Sequence, residues 1–244
     1  MDILLFDGSF EGLLTVIYAA CKARQPVLIR DAHAFQPSMF GRPQTVLTDT
    51  SLSGKMEEHI LGKAGSECMA VMYKAFLSED PWIYDPMLSF FKKMQTFGSE
   101  VLFMHSDDDV RRVLDAQKKV SRESHRMIGL LRFRKIHHEM LYACCTPTSN
   151  VLPVIAPHFT DRMRNENWAI HDSRRNTYAF YNKQECVLGF FPDAPAMGFQ
   201  DIDVDYENLW KAYFRHISIR ERENRKLQVN HMPVKYWIHL TEKQ

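Results

Sequence analysis

The sequence has 244 residues, of which 45% are hydrophobic and 12% aromatic, and its formal net charge is only +1. This length suits one large domain or two small ones, and it can bury a core without disulfides or metals. Near-average apolar and charged fractions exclude a disordered, collagen-like or coiled-coil protein. The small net charge also excludes a uniformly basic nucleic-acid-binding protein, so any electrostatic signal must lie in local charge clusters.

The sequence shows no sign of a membrane or secretory protein. No segment reaches the roughly 18–20 continuous apolar residues of a membrane helix, so we expect no membrane association. Residues 2–7 carry acids where a secretory signal would carry Lys or Arg, and they predict a strand instead. The five cysteines are odd in number, and Cys144 and Cys145 are adjacent, so no disulfide framework is expected. These features predict a cytoplasmic protein.

The chain begins with a predicted strand and helix. The strand over 3–7 ends in a turn signal whose Ser9 is a candidate N-cap for a helix over about 10–23. Residues 26–43 lack periodicity and predict an irregular segment, whereas 45–48 predict a short strand.

Three further helices are predicted between residues 69 and 128. The first has a buried face at i, i+3, i+4, i+7 and i+8, made of Met69, Met72, Tyr73, Phe76 and Leu77. Asp85-Pro86 predicts an N-cap followed by proline at the first helical position, and Gly98 predicts the end of that second helix. Residues 106–109 resemble a capping box that opens a long helix reaching about Ile128.

Beyond Gly129 the hydrophobic period changes toward alternation, which predicts strands. The predicted strands lie around residues 131–133, 141–144, 168–171, 177–181 and 186–191. Further helices are predicted over 151–163, 209–217 and 236–240. We therefore expect an α+β fold, an antiparallel sheet of about five strands flanked by several helices.

The predicted elements suggest two regions. Residues 1–105 form an N-terminal strand–helix region, and residues 106–244 form a C-terminal α+β region that contains the basic patches described next. A single folding unit is the alternative.

Basic residues are concentrated in two segments of the chain. Residues 111–135 contain nine Lys or Arg and two acids, a net charge of +7. Residues 211–235 contain seven Lys or Arg and two acids, a net charge of +5. Clusters of this kind supply the electrostatic attraction by which proteins bind the phosphates of nucleic acids.

The predicted helix over 106–128 separates its charges from its apolar residues. At about 100° per residue, its basic residues fall in one sector and its Val, Leu and Met residues on the opposite side. Solvated helix faces usually mix both signs of charge, so this sector is a candidate surface for a polyanion, with an ordinary solvated face as the alternative. The candidate nucleic-acid-binding residues of both segments are Arg111, Lys118, Lys119, Arg122, Arg126, Arg132, Arg134, Arg222, Arg225, Lys226 and Lys235.

Residues 119–126 also form the densest group of polar side chains. The best candidates for general acid–base catalysis are Glu123 and His125, together with His158 further along the chain. A helix places Ser121 and His125 one turn apart but directs Glu123 to another side, so a triad from this segment is geometrically poor. We expect a structural role for these polar residues, with catalysis as the alternative.

His137-His138 and Cys144-Cys145 come nearest to a metal-binding pattern. Adjacent cysteines are poorly placed to chelate one tetrahedral ion, and the spacings of structural zinc sites are absent, so no metal is predicted. We expect the two cysteines to act as small buried hydrophobic residues. The glycine motifs of nucleotide-binding proteins and hydrolases are also absent, so no cofactor is predicted.

Six segments spread along the chain resemble one family. They are residues 6–13 (FDGSFEGL), 119–127 (KVSRESHRM), 151–159 (VLPVIAPHF), 168–172 (WAIHD), 209–214 (LWKAYF) and 230–237 (NHMPVKYW). In these segments the chain is similar to an uncharacterised bacterial family, domain of unknown function 4130, associated with DNA metabolism or DNA repair. The sequence departs from the family at His171, where Tyr is usual, and at Val234, where a basic residue is usual.

The resemblance implies a role in DNA metabolism or repair beside a radical-SAM protein, and it implies no particular reaction. Members of the domain also occur fused to uracil-DNA-glycosylase-like domains. We therefore predict a protein that binds DNA through its two basic segments and acts with a radical-SAM partner. One alternative is an enzyme that acts on a nucleic-acid base or phosphodiester through Glu123, His125 and His158. The other is a non-catalytic protein-interaction module.

Overall fold

The computed structural model describes residues 2–36, 42–136, 140–190 and 225–243. The chain divides into two compact units, residues 1–121 and 122–244, and each is described by itself. The boundary predicted from the sequence lay between residues 105 and 106, whereas the two units divide within a helix.

The first unit contains a three-stranded parallel sheet in the order β2-β1-β3. The strands are β1, Asp2–Phe6; β2, Val27–Asp31; and β3, Arg42–Thr45. Leu4 of the central strand is buried and pairs with the fully buried Ile29 of β2. Strand β2 lies in the segment predicted to be irregular, because its residues do not alternate strongly. The short strand predicted over 45–48 overlaps the exposed strand β3 only at Thr45.

Helix α1, Phe10–Lys22, follows β1 and begins where the sequence predicted. The Ser9 hydroxyl accepts a hydrogen bond from the Gly12 N–H at 2.9 Å, which confirms Ser9 as the N-cap. The Asp7 carboxylate accepts from the backbone N–H and hydroxyl of Ser9 and from the Thr48 hydroxyl. A Cβ on Gly12 would lie 2.1 Å from Asp7 Oδ1, so this close approach requires glycine.

Helix α2, Thr50–Phe76, is capped by Asp49, whose carboxylate accepts from the Leu52 N–H at 3.0 Å. All five residues of the apolar face predicted for this region are buried or partly buried. Gly65 interrupts the helical backbone with φ 80° and ψ 175°, a conformation that favours glycine.

Helix α3, Tyr84–Phe97, is followed by a 3₁₀ segment, Gly98–Phe103. Asp85, predicted as the N-cap, lies instead in the first turn, because the helix begins at Tyr84, two residues before the predicted first position, Pro86. The Asp85 carboxylate accepts from the Ile29 N–H at 2.8 Å and from the Arg30 guanidinium at 2.6 Å. Asp85 therefore joins α3 to strand β2 rather than capping its own helix.

Helix α4, Asp108–Leu130, begins in the first unit and ends in the second. The Asp107 carboxylate accepts from the Val110 N–H at 3.0 Å and so caps the helix. The apolar face predicted from the helical period is confirmed by the burial of Val110, Val113, Leu114, Val120 and Met127.

The second unit contains a five-stranded mixed sheet in the order β4-β5-β6-β7-β8. Its strands are β4, Arg134–Ile136; β5, Met140–Cys145; β6, Trp168–Asp172; β7, Thr177–Tyr181; and β8, Cys186–Phe190. Three of the four strand pairs are antiparallel, as predicted. Strands β5 and β6 are parallel, because the connection between them contains a helix, α5, Leu152–Arg162. The expectation of a wholly antiparallel sheet was therefore wrong at this pair.

The core of the second unit lies between one face of the sheet, α5 and the C-terminal end of α4. Trp168, Ile170 and Ala179 of the sheet pack with residues that include Ile155 of α5 and Met127 of α4. These side chains are almost completely buried.

The C-terminal residues form helix α6, Arg225–His231, and two 3₁₀ segments, Val234–His239 and Thr241–Lys243. Tyr236 and Leu240 are buried in the second core, although the predicted final helix is 3₁₀ rather than α. The predicted helix over 209–217 lies outside the described residues. Within the part of the chain that the structure describes, no helix has both the length and the hydropathy needed to span a bilayer.

Candidate functional site

A buried carboxylate, Glu123, is the centre of a hydrogen-bonded cluster in the second unit. Its side chain is 7% exposed and accepts from the Tyr236 hydroxyl at 2.5 Å and from Lys235 Nζ at 3.1 Å. The backbone N–H groups of Thr148 and Ser149 each donate to one of its oxygens at 2.8 Å. These five residues are called the Glu123 cluster below.

The hydrogen bonds of the Glu123 cluster fix the protonation states of its members. Burial alone would raise the pKa of Glu123, but hydrogen bonds from Tyr236, the two amides and Lys235 outweigh it and lower the pKa to about 2. Burial and the hydrogen bond to Glu123 raise the pKa of Tyr236, so its hydroxyl remains a donor. A carboxylate held ionised in this way is a poor proton acceptor at neutral pH, and it suits an anchoring role.

The segment that donates to Glu123 also contacts a second buried ion pair. Asp172 is fully buried and accepts from Arg175 Nη1 at 2.7 Å. The same guanidinium donates to the carbonyl oxygens of Pro147 at 3.2 Å and Thr148 at 2.7 Å. Residues 147–149 are therefore fixed on one side by Arg175 and on the other by Glu123.

The exposed side of α4 carries basic residues. They are Arg111, Lys118, Lys119, Arg122 and Arg126. Arg111 pairs with Asp108 at 2.6 Å. Arg122 and Arg126 lie in the second unit, one helical turn apart, and neither forms an ion pair with any residue that the structure describes. The predicted separation of basic and apolar residues on this helix is confirmed.

Lys235 brings a cation of the C-terminal segment to α4. It binds Glu123, which directly follows Arg122 in the helix, and its own side chain remains 46% exposed. The positive charge of Arg126 also acts on the Tyr236 hydroxyl, where it opposes the rise in the pKa of that tyrosine. Within the second unit, cations from both basic segments therefore lie around the Glu123 cluster.

Two more basic residues near the C-terminus, one of them beyond the basic segment, lie near an aromatic ring. Arg225 and Lys243 are 5.8 Å and 4.8 Å from the centroid of the Trp237 ring, within the range of a cation–π contact. Lys226 is exposed on α6. Arg222, also predicted to bind nucleic acid, lies outside the described residues.

Arg132 and Arg134 differ from the exposed arginines of α4, since both are partly buried. Arg132 Nη1 donates to the carbonyl oxygens of Gly129 at 2.9 Å and Leu131 at 3.3 Å, at the C-terminal end of α4. Arg134 lies in β4, and together with burial its charge lowers the pKa of His239. Both side chains are engaged within the second unit.

The three residues predicted for catalysis are not gathered in one site. Glu123 is directed into the core, whereas His125 lies on the exposed side of α4. His158 lies in α5, and its ring packs edge-on against Phe159 with the centroids 5.2 Å apart. Among the described residues, no hydrogen bond or ion pair joins Glu123 to either histidine.

The sequence predicted a helix over 236–240, but not the hydrogen bond that Tyr236 donates to Glu123. It also missed Thr148 and Ser149, because their contribution is a backbone N–H that almost every residue type carries. The only sequence signal was the turn-like composition of residues 146–150 after β5. Of the adjacent cysteines, Cys145 is buried and Cys144 partly buried, while His137 and His138 lie outside the described residues.

The fold and the site define a mixed α/β protein in which a long helix has a basic exposed face and a buried anchoring carboxylate. Comparison with known families shows that residues 81–242 match the family described as "Domain of unknown function (DUF4130)". The match covers about two thirds of the chain, so the protein belongs to this family. No curated protein matches the chain.

Proposed function

We propose that this protein binds nucleic acid, DNA foremost, through the exposed cations of its second unit. The observation that carries the proposal is the pair Arg122 and Arg126, exposed one turn apart with no ion pair among the described residues. Exposed charges without partners repel each other, and a polyanion is the ligand that relieves this repulsion.

Basic residues of the first unit provide a comparison. Arg112 pairs with Asp80 at 3.2 Å, and Lys93 pairs with Asp107 at 2.6 Å. Each of these cations forms an ion pair with an acid that lies beside it. Arg122 and Arg126 have no such acid partner among the described residues, which supports a role outside the folded chain.

The spacing of these cations suits a phosphate backbone. Residues one helical turn apart have Cβ atoms roughly 5–6 Å apart, and long arginine side chains can span the roughly 7 Å between successive phosphates. Because Lys235 is held to Glu123, we infer that it acts together with Arg122 and Arg126. Arg225 and Lys226 extend the set of cations along the C-terminal segment.

Salt dependence tests this proposal. The full chain is titrated with fluorescent duplex and single-stranded DNA at several salt concentrations, and the logarithm of the association constant is plotted against that of salt. Five phosphate contacts predict a slope of about −4 to −5, at roughly −0.9 per contact on duplex DNA. A flat plot, or no binding at low salt, would overturn the proposal.

We further propose that the protein acts in DNA metabolism or repair with a radical-SAM protein, a role supported by the family resemblance alone. Co-purification of the full chain with the radical-SAM protein of the same cell tests this partnership. A complex that survives gel filtration is the expected result, and two separate peaks at micromolar concentrations would contradict it.

A further inference from the structure

A thiol, an imidazole and an amide lie close together in the second unit, on β5, on β6 and in the turn before β7. Cys144 of β5 pairs in register with His171 of β6, so their side chains share one face of the sheet. Cys144 Sγ is 3.9 Å from His171 Nδ1, and His171 Nε2 is 3.3 Å from Asn176 Oδ1. No residue of the Glu123 cluster belongs to this group.

The contacts of His171 assign its tautomer. An amide oxygen can only accept, so Nε2 carries the proton and donates to Asn176. Nδ1 is therefore the basic nitrogen, and it accepts from the Tyr142 hydroxyl at 2.8 Å. Burial raises the pKa of the Cys144 thiol, and hydrogen bonds with Ser173 and with the Tyr142 hydroxyl oppose that rise.

Neighbouring residues hold the imidazole and the amide in place. The ring of Tyr178 stacks on His171 with centroids 4.1 Å apart and planes 3° from parallel. Asn176 has φ 52°, a left-handed conformation that asparagine tolerates better than most residues. Its turn is shaped by buried Asp172, whose carboxylate accepts from the backbone N–H groups of Arg174 and Arg175.

We propose that Cys144, His171 and Asn176 form a second, catalytic site. In this site Cys144 is the nucleophile that accepts acyl groups from esters or amides, His171 is its general base, and Asn176 orients the imidazole. This order of groups is the one that acyl-transfer enzymes use on unrelated folds. Cys144 is partly exposed, as a nucleophile must be, and because burial raises the pKa of its thiol, it depends on a base to take its proton. Burial lowers the pKa of His171, which keeps the imidazole neutral and able to take a proton.

The proposed reaction needs only water besides the ester or amide substrate. Cys144 Sγ attacks the carbonyl carbon, its proton passes to the Tyr142 oxygen, and the Tyr142 proton passes to His171 Nδ1. The bond to the leaving alcohol or amine breaks, and that group takes the proton from His171. Water then hydrolyses the thioester, which releases the carboxylic acid and restores the thiol.

The test uses 4-nitrophenyl acetate with the full chain. We expect a burst of one nitrophenolate per chain, with the acetyl group found on Cys144 by mass spectrometry. Cys144→Ala abolishes the burst, and His171→Tyr, which introduces the residue usual in the family, slows it about 100-fold through loss of the base. Asn176→Gly keeps the left-handed backbone and slows the burst less.

Matched controls are Cys21→Ala and Cys186→Ala, which remove an exposed and a partly buried thiol elsewhere and should leave the burst unchanged. Thermal melts confirm that each variant is folded, and Tyr142→Phe gives a second test of the proton path if His171→Tyr is unfolded. Acetylation confined to Cys21 or Cys186, or an equal burst in the folded His171 or Tyr142 variant, would overturn the proposal.

Discussion

Tyr236 and Glu123 are 113 positions apart in the sequence, yet their side chains form a buried hydrogen bond of 2.5 Å. The bond fixes the C-terminal 3₁₀ segment to α4, and Lys235 reinforces it with an ion pair at 3.1 Å. The same carboxylate orders the loop after β5 through two backbone amides. One buried acid thus connects three separate parts of the second unit.

Tyr236→Phe should destabilise the second unit. The substitution keeps the ring in the core but removes one donor from a buried carboxylate, which typically costs about 1–3 kcal/mol. Urea unfolding followed by tryptophan fluorescence measures the change. Tyr181→Phe is the matched control, because its hydroxyl makes a longer bond, 3.3 Å to the Arg164 carbonyl oxygen, and should cost less. Equal losses from both variants would contradict a special role for Glu123.

The ionisation of Glu123 predicts how stability depends on pH. Its pKa falls from an ordinary value of 4.5 to about 2 on folding, so its contribution is complete above pH 4.5 and is lost as the pH falls toward 2. The shift corresponds to roughly 3–4 kcal/mol at most, at 1.36 kcal/mol per pKa unit. Glu123→Gln should therefore be less stable than the natural chain at pH 7, and the gap should narrow below pH 4.5. A gap that stays constant from pH 7 to 3 would show that the carboxylate is not held in its ionised form.

Reversing the charge of the exposed arginines tests the nucleic-acid interface. Arg122→Glu with Arg126→Glu should weaken DNA binding by a similar factor for all sequences, since phosphate contacts carry no base information. The helix should remain folded, because its buried face is made of other residues. The control is Lys55→Glu with Lys63→Glu, an equal charge change at exposed positions of α2. Circular dichroism and a binding titration at one salt concentration are sufficient, and equal loss of binding in both variants would point to net charge alone.

Two glycines in helices should respond to alanine in opposite ways. In Gly12→Ala the new Cβ meets the Asp7 carboxylate and the Thr48 hydroxyl, so we expect a loss of about 1–3 kcal/mol. In Gly54→Ala nothing lies within 4 Å of the new Cβ, so better helix propensity should stabilise the protein by up to about 1 kcal/mol. Thermal melts of both variants measure these changes, and a stabilising Gly12→Ala would contradict the close approach of Asp7.

The sequence was informative wherever a local pattern determines the structure. The Ser9 cap, the apolar face of α4 and the strands of the second sheet follow from residues that are neighbours in the chain or lie one turn apart. Strand direction was predicted less well, since β5 and β6 are parallel only because α5 connects them. Strand β2 lacked the alternation that marks a strand, and the strand predicted over 45–48 overlaps the exposed β3 only at Thr45.

The sequence was least informative about contacts between distant residues. Glu123 was singled out as a polar residue of a basic helix, but its partners Tyr236 and Lys235 lie more than a hundred residues away. Asp85 had the signature of an N-cap, yet the Ile29 amide and Arg30 of a different element bind its carboxylate. In both cases the side chain binds a residue that is distant in the sequence, and no local sequence pattern identifies that partner.

Gly65 has a consequence for the motions of α2. Its left-handed backbone interrupts the hydrogen-bond ladder of the helix, so each half depends on its own buried side chains, Met56 and Ile60 before the break, Cys68 and Met72 after it. Proteins open locally in cooperative units, so we expect the two halves of α2 to open separately. Amide hydrogens on the two sides of Gly65 should exchange with solvent at two distinct sets of rates, as two short helices would.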